Sequence, residues 1–147
     1  MDKIYDVIIL GAGPGGLAAG IYAGRARLDT LLIEKGKDGG QIAITDEIEN
    51  YPGQMVDGES GPSLIERMTK QVEKFGAERV SDTIVSVDIE GPVKTLVGSN
   101  GTYKARTLII ATGAFPRPIG CKGEGEFMGK GVSYCATCDA SFFEDLE

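Results

Sequence analysis

The stretch Val7-Ile8-Ile9-Leu10-Gly11-Ala12-Gly13-Pro14-Gly15-Gly16 leaves this chain few folds to choose from. An unbroken aliphatic run suits a strand buried on both faces. The glycines follow at once. Leu17, Ala18, Ile21 and Tyr22 then recur at helical spacing in an alanine-rich segment. Leu31-Leu32-Ile33 repeats the buried-strand pattern and ends at Glu34. Strand, tight turn, helix and strand make a βαβ unit, and its right-handed crossover sets the two strands parallel.

Within that unit the glycines have the spacing GxGxxG, and Glu34 stands 18 residues past Gly16. An acid that binds a ribose is expected ~20 residues on. Each part has a physical job. Gly11 makes the turn, Gly13 lets the backbone approach a pyrophosphate, and Gly16 lets helix and strand pack closely. Pro14 lies inside the same cradle. Free N–H groups and the positive end of the helix dipole face the phosphates. Glu34 would accept hydrogen bonds from a ribose diol and repel a 2′-phosphate, so the site suits FAD or NAD better than NADP. The competing reading is a plain strand–helix turn with a solvated Glu34.

The rest of the chain is consistent with a soluble α/β protein. Glycine supplies 22 of the 147 residues, about twice the usual ~7%. These glycines punctuate aliphatic runs, which points to close turns rather than disorder. Residues 36–61 are Gly-rich and polar and read as a long loop. A helix follows, with Pro62 in its first turn, Leu64, Ile65, Met68, Val72 and Phe75 on one face, and Gly76 as its stop. Thr83–Ile89 alternates as a strand. Val93–Val97 and Thr102–Ala105 flank Asn100-Gly101, a hairpin turn signal. Leu108-Ile109-Ile110-Ala111 is another buried strand, closed by Thr112-Gly113. Pro116, Pro118 and the glycines up to Gly131 read as a linker.

The net charge of −7 argues against a general nucleic-acid surface and against anionic membranes. No segment is long and apolar enough to span a bilayer, and the charged N-terminus does not resemble a signal peptide. The sequence has no histidine, so acid–base chemistry falls to a carboxylate, Lys, Tyr or Cys.

Three cysteines, Cys121, Cys135 and Cys138, are too few and too clustered for a secreted disulfide scaffold. Cys135 and Cys138 form a CxxC, whose thiols can close a small ring; beside a βαβ pattern that is a redox signal. The alternative is zinc, with Cys121 and Asp139 completing the set. Structural zinc almost always takes four ligands, usually Cys and His, so no metal is expected. By position alone Asp139 fits a helix N-cap equally well. Cys121 reads as a small buried or linker thiol.

Several segments together resemble the low-molecular-weight thioredoxin reductase family. Gly39-Gly40-Gln41 and Ile48-Glu49-Asn50-Tyr51-Pro52-Gly53 are similar to its flavin-side loop. Ala111-Thr112-Gly113 is similar to its second FAD contact, and Gly131-Val132-Ser133-Tyr134-Cys135-Ala136-Thr137-Cys138-Asp139 to its active-site segment. The resemblance covers the whole chain. It implies a Rossmann-like FAD-binding domain with a parallel sheet and a β-hairpin or meander insertion, incomplete relative to the family fold. It divides the chain into residues 1–115, the first part of the FAD domain, and 116–147, a linker and the start of an NADPH-type domain carrying the CxxC. FAD contacts are implied for Gly11, Gly13, Pro14, Gly16, Glu34, Gly40, Gln41, Asn50, Ala111, Thr112 and Gly113. Cys138 would take electrons from the flavin, Cys135 would attack the substrate disulfide, and Asp139 would serve as acid or base.

The implied activity passes electrons from NADPH through FAD and the cysteine pair to thioredoxin, in a cytoplasmic homodimer. Neighbouring alternatives are ferredoxin as donor, a peroxiredoxin-type partner, or an FAD-binding module without turnover. The sequence stops at Glu147, where the family's NADPH site would begin, so a fragment or a partner-completed half is expected. Lacking the family's returning segment, the aliphatic faces of Val7–Leu10 and Leu108–Ala111 are expected to be partly uncovered. The tail after about Pro118 is expected to be protease-sensitive, with reactive thiols.

Overall fold

The structure, a computed structural model, describes residues 3–55, 57–128 and 130–136. The aliphatic runs and the segments between them build one mixed sheet from β1 (Ile4–Leu10), β2 (Thr30–Glu34), β3 (Glu78–Ser81), β4 (Ile84–Asp88), β5 (Lys94–Gly98) and β6 (Thr102–Ile110). The spatial order is β3-β2-β1-β6-β5-β4. Strands β3, β2, β1 and β6 run parallel, and β6-β5-β4 is an antiparallel meander. Residues Met1–Gly113 form one compact unit and Ala114–Glu147 a second.

Helix α1 (Pro14–Arg25) connects β1 to β2, and α2 (Gly61–Lys74) leads to β3. Proline is tolerated in a first turn because an N–H there has no intrahelical partner anyway; Pro14 and Pro62 both use this. At the start of α2 the Ser60 hydroxyl accepts the Ser63 N–H at 3.3 Å, and Gly76 at φ +78° ends the helix. Leu64, Ile65, Met68 and Val72 are buried as the periodicity requires. They pack with Leu17 and Ala23 of α1 over Val7, Ile9 and Leu32 of the sheet.

The opposite face carries Ile8, Leu31 and Ile33, packed with Leu96 of β5 and Ala105 of β6. The meander therefore covers the second face of the parallel strands. This corrects the expectation that Val7–Leu10 is partly uncovered: Val7, Ile8 and Ile9 are buried. The end of β6 is different, with Ile109 40% and Ile110 67% exposed.

Two further departures concern strands. Thr102–Ala105 and Leu108–Ala111 are not separate strands. Strand β6 runs unbroken because Thr102 to Ala105 pair with β5 while Ile4 to Leu10 of β1 pair in parallel with Lys104 to Ile110, so that Lys104 and Ala105 join both neighbours. Strand β3 is not signalled in the sequence at all. Its Glu78 and Arg79 are polar, yet Glu78 pairs with Leu31 and Ser81 with Glu34 at a sheet edge. Glu78 accepts from Lys3 at 2.5 Å and from the Tyr5 hydroxyl at 2.8 Å. Lys3, then Tyr5, hold the Glu78 carboxyl below its ordinary range; burial, then Glu78, push the Tyr5 phenol up.

The loop expected over 36–61 has internal structure. A short 3₁₀ helix spans Gly40–Ile44, and the buried Ile48 donates its N–H to the Glu59 carbonyl at 2.8 Å. The Glu59 carboxylate receives Arg67 and the Ser63 hydroxyl, which depress its pKa. Just past β3, where its N–H reaches the Glu34 carbonyl at 3.1 Å, buried Asp82 accepts the Tyr103 hydroxyl at 2.8 Å and the N–H groups of Thr83 and Asn100 at 2.7 and 3.1 Å. Burial opposes ionisation there, but these donors prevail and the carboxyl stays below its usual range. Asp82 thereby ties the β5–β6 turn to the corner between β3 and β4. In the second unit the Glu124 carboxylate accepts the N–H groups of Ile119 and Gly120. Cys121 is exposed and free, which fits a linker thiol and not a buried one.

Candidate functional site: the glycine turn at the end of the parallel strands

The turn after β1 is shaped by what its glycines approach. A Cβ on Gly16 would lie 1.8 Å from the Gly11 carbonyl oxygen, so only glycine lets α1 start this close to the strand. Gly11 has φ +107°, and a Cβ there would meet the Ala111 oxygen at 2.3 Å and the Thr112 Cα at 3.2 Å. The ends of β1 and β6 are thus in direct contact. Gly13 and Gly15 differ: a Cβ on either would meet nothing within 4 Å. The open side of the turn lies over these two residues.

Helix α1 begins at that opening. Its N-cap is Gly13, with no side-chain acceptor, and its first turn has no acidic residue. The first N–H groups of a helix lack intrahelical partners, and here no side chain of the described residues caps them. The arrangement fits a diphosphate, with backbone donors and the helix dipole directed at it. Beside it, Glu34 Oε2 accepts the Ala12 N–H at 2.8 Å and Oε1 the Gly36 N–H at 3.0 Å. A carboxylate has about four lone-pair positions, so two remain for a diol.

The flavin-side loop meets the same turn. Gly39 donates its N–H to the Ala12 carbonyl at 2.8 Å, and a Cβ on Gly40 would come 3.8 Å from the Gly13 Cα. Gln41 lies in the 3₁₀ helix, its carbonyl accepting the Thr45 hydroxyl. The structure therefore brings Gly11, Gly13, Pro14, Gly16, Glu34, Gly40, Ala111 and Thr112 together. Gly113 follows as an exposed residue at φ +69°. Asn50 is exposed, beyond the Ile48–Glu59 pairing, and among the described residues it shares no hydrogen bond with the turn. A pocket lined in part by Glu47, Glu49 and Asp57 includes Glu49 and Tyr51 of the flavin-side segment but none of the residues given an FAD contact, and its carboxylates oppose a phosphate.

In the second unit, Cys135 is partly buried and disulfide-bonded, and its N–H reaches the Ser133 hydroxyl at 3.0 Å. Cys138 and Asp139 lie outside the described residues. No cluster of three or more metal-binding side chains occurs among the described residues, and none of their helices is long and apolar enough to cross a membrane. Sequence reasoning missed Asp38 and Arg79, which with Gly39 brace the loop behind Glu34. Only the Gly39-Gly40 pair carried a local signal, since Asp38 and Arg79 are 41 residues apart.

The family model for pyridine nucleotide-disulphide oxidoreductases matches residues 5–147. The chain belongs to that family. As a pyridine nucleotide-disulphide oxidoreductase it is 58% identical to a thioredoxin reductase of Peptoclostridium litorale over 147 residues, all of this chain and 46% of the relative. It is 51% identical to one from Listeria monocytogenes, over 99% of this chain and 45% of the relative. The crystal structure of a thioredoxin reductase from Streptococcus pyogenes superimposes with a TM-score of 0.88 at 42% identity, covering 97% of this chain and 46% of that one. The Rossmann-like α/β fold is the one expected from the sequence, and the chain spans less than half the length of these relatives.

Proposed function

We propose that this chain supplies the FAD-binding front half and the redox dithiol of a thioredoxin-disulfide reductase. The observation that carries the reading is the junction of β1, α1 and β6. There Gly11, Gly16 and Ala111 close on one another while Gly13 and Gly15 face open space. The family match over residues 5–147 supports it.

In this reading the glycine turn would hold FAD. Gly11 to Gly16 hold its diphosphate, Glu34 its ribose, and Gly40, Gln41, Asn50 and Ala111–Gly113 its flavin side. When bound, FAD accepts a hydride and delivers two electrons. Residues 1–115 belong to the FAD domain, and 116–147 open the NADPH-type domain. The pair Cys135 and Cys138 cycles between disulfide and dithiol. A Cys135 thiolate attacks one sulfur of the thioredoxin disulfide, Cys138 resolves the mixed disulfide, and Asp139 handles the proton. In sum, NADPH, one proton and an oxidised disulfide give NADP⁺ and two thiols. The working form is a cytoplasmic homodimer.

The test uses the full-length protein. It should purify yellow, with a flavin spectrum retained through gel filtration, and reduce thioredoxin with NADPH. Cys138→Ser should keep the flavin and lose disulfide reduction. Unchanged turnover in that variant refutes the assigned role, and turnover with reduced ferredoxin alone refutes NADPH as donor.

A further inference from the structure

We propose that Arg79 is a positioning residue for the adenosine end of this site: it fixes Glu34 for a ribose diol by clamping the loop that follows β2. The inference rests on the FAD reading above.

The clamp is a closed ring of contacts. Glu34 Oε1 takes the Gly36 N–H at 3.0 Å. The Gly36 carbonyl accepts Arg79 Nη2 at 3.1 Å. The same guanidinium reaches Asp38 Oδ1 through Nε at 2.8 Å and Nη2 at 2.6 Å. Asp38 Oδ2 accepts the Thr69 hydroxyl of α2 at 3.4 Å, and Gly39 returns to the glycine turn through the Ala12 carbonyl at 2.8 Å. Residues 34–39 are thereby fastened to β3, α2 and the phosphate turn at once.

Two physical points make Arg79 the keystone. The terminal torsion of a glutamate side chain is broad. With the Ala12 N–H alone holding Oε2, the other oxygen would swing; the Gly36 N–H stops it, and Arg79 holds Gly36. Second, the Asp38 side chain is only 12% exposed, and a covered carboxylate that loses its cation is strongly disfavoured. Removing Arg79 therefore moves Asp38 and the loop with it. A planar guanidinium makes these three contacts together, which the single ammonium of lysine does not.

The experiment titrates flavin-stripped full-length protein with FAD and with FMN, which has no adenosine, and follows flavin fluorescence. Arg79→Met is expected to raise the Kd for FAD about ten-fold and Arg79→Lys about three-fold, with FMN unchanged in both. Arg79→Lys keeps the test open if Arg79→Met does not fold. An unchanged FAD affinity overturns the proposal, and so does an equal loss for FAD and FMN, which marks a general folding role. Glu34→Gln separates the two readings. If it weakens FAD while the Arg79 variants do not, the site stands and the clamp falls. If wild-type protein binds no FAD, the site reading itself falls.

Discussion

Gly15 and Gly16 are adjacent in the first turn of α1, yet the structure gives them opposite fates on substitution. Alanine at either position gains helix propensity, up to about 1 kcal/mol. At Gly15 the new methyl meets nothing within 4 Å. At Gly16 it would sit 1.8 Å from the Gly11 oxygen and 2.9 Å from the Gly11 carbonyl carbon. Both are backbone atoms and cannot rotate away, so the helix must retreat by about 1.5 Å to reach ordinary contact. Overpacking of this kind costs ~1–3 kcal/mol. The propensity gain is common to both variants, so their difference isolates that cost. Urea denaturation of flavin-free protein should place Gly15→Ala at or above wild type and Gly16→Ala about 1–3 kcal/mol below Gly15→Ala. The displaced helix also withdraws its N–H groups from the phosphates, where a hydrogen bond to a charged group is worth ~1.5–3 kcal/mol. FAD affinity should accordingly fall at least about ten-fold in Gly16→Ala. Coincident denaturation midpoints with equal FAD affinity would refute the argument, because the close approach of helix and strand would then carry no energy.

The meander is predicted to be part of the core: Leu96→Ala, at a fully buried residue, should cost ~2–5 kcal/mol in a denaturant titration, and a loss under 1 kcal/mol would show that β5 does not seal the sheet. Ser60→Ala removes the N-cap of α2 and should cost ~1 kcal/mol, read from the same titration. Asp82 has a depressed folded-state pKa, so its stabilisation is present above the ordinary carboxyl pKa of ~3.9 and is lost as pH falls through the folded value. Asp82→Asn should lower thermal stability at neutral pH and flatten its decline below about pH 4; a decline parallel to wild type would count against the role given to this carboxylate.

What the sequence made legible is what is encoded within a few residues. The β1–turn–α1–β2 unit combines apolar runs, a glycine spacing and one acid, and its pieces touch within a single crossover. Helix α2 is likewise announced by Pro62, its apolar stripe and Gly76. What stayed hidden depends on partners far along the chain. Strand β3 offers no apolar run because its Glu78 and Arg79 face solvent, Lys3 and Asp38 at a sheet edge. The covering of Ile8 by Leu96 and the bracing of Glu34 by Arg79 cannot be read from any local window. The continuity of β6 is hidden for the same reason, since its two halves answer to different neighbours.

That same strand also sets a clock. Ile4 of β1 pairs with Lys104 of β6, and Leu10 with Ile110, so the first rung of this ladder to form closes a loop of about 100 residues at an entropic cost of about 4 kcal/mol beyond its constant part, paid once for the whole ladder. On a ribosome moving at ~5–20 residues per second, β1 emerges several seconds before its partner exists. Through that interval the glycine turn has no Ala111 to rest against, and Ile8 has no meander over it. The proposed nucleotide cradle is therefore a late product of synthesis, since it closes only once β6 has emerged. During the wait, the nascent aliphatic strand is a natural client for chaperones.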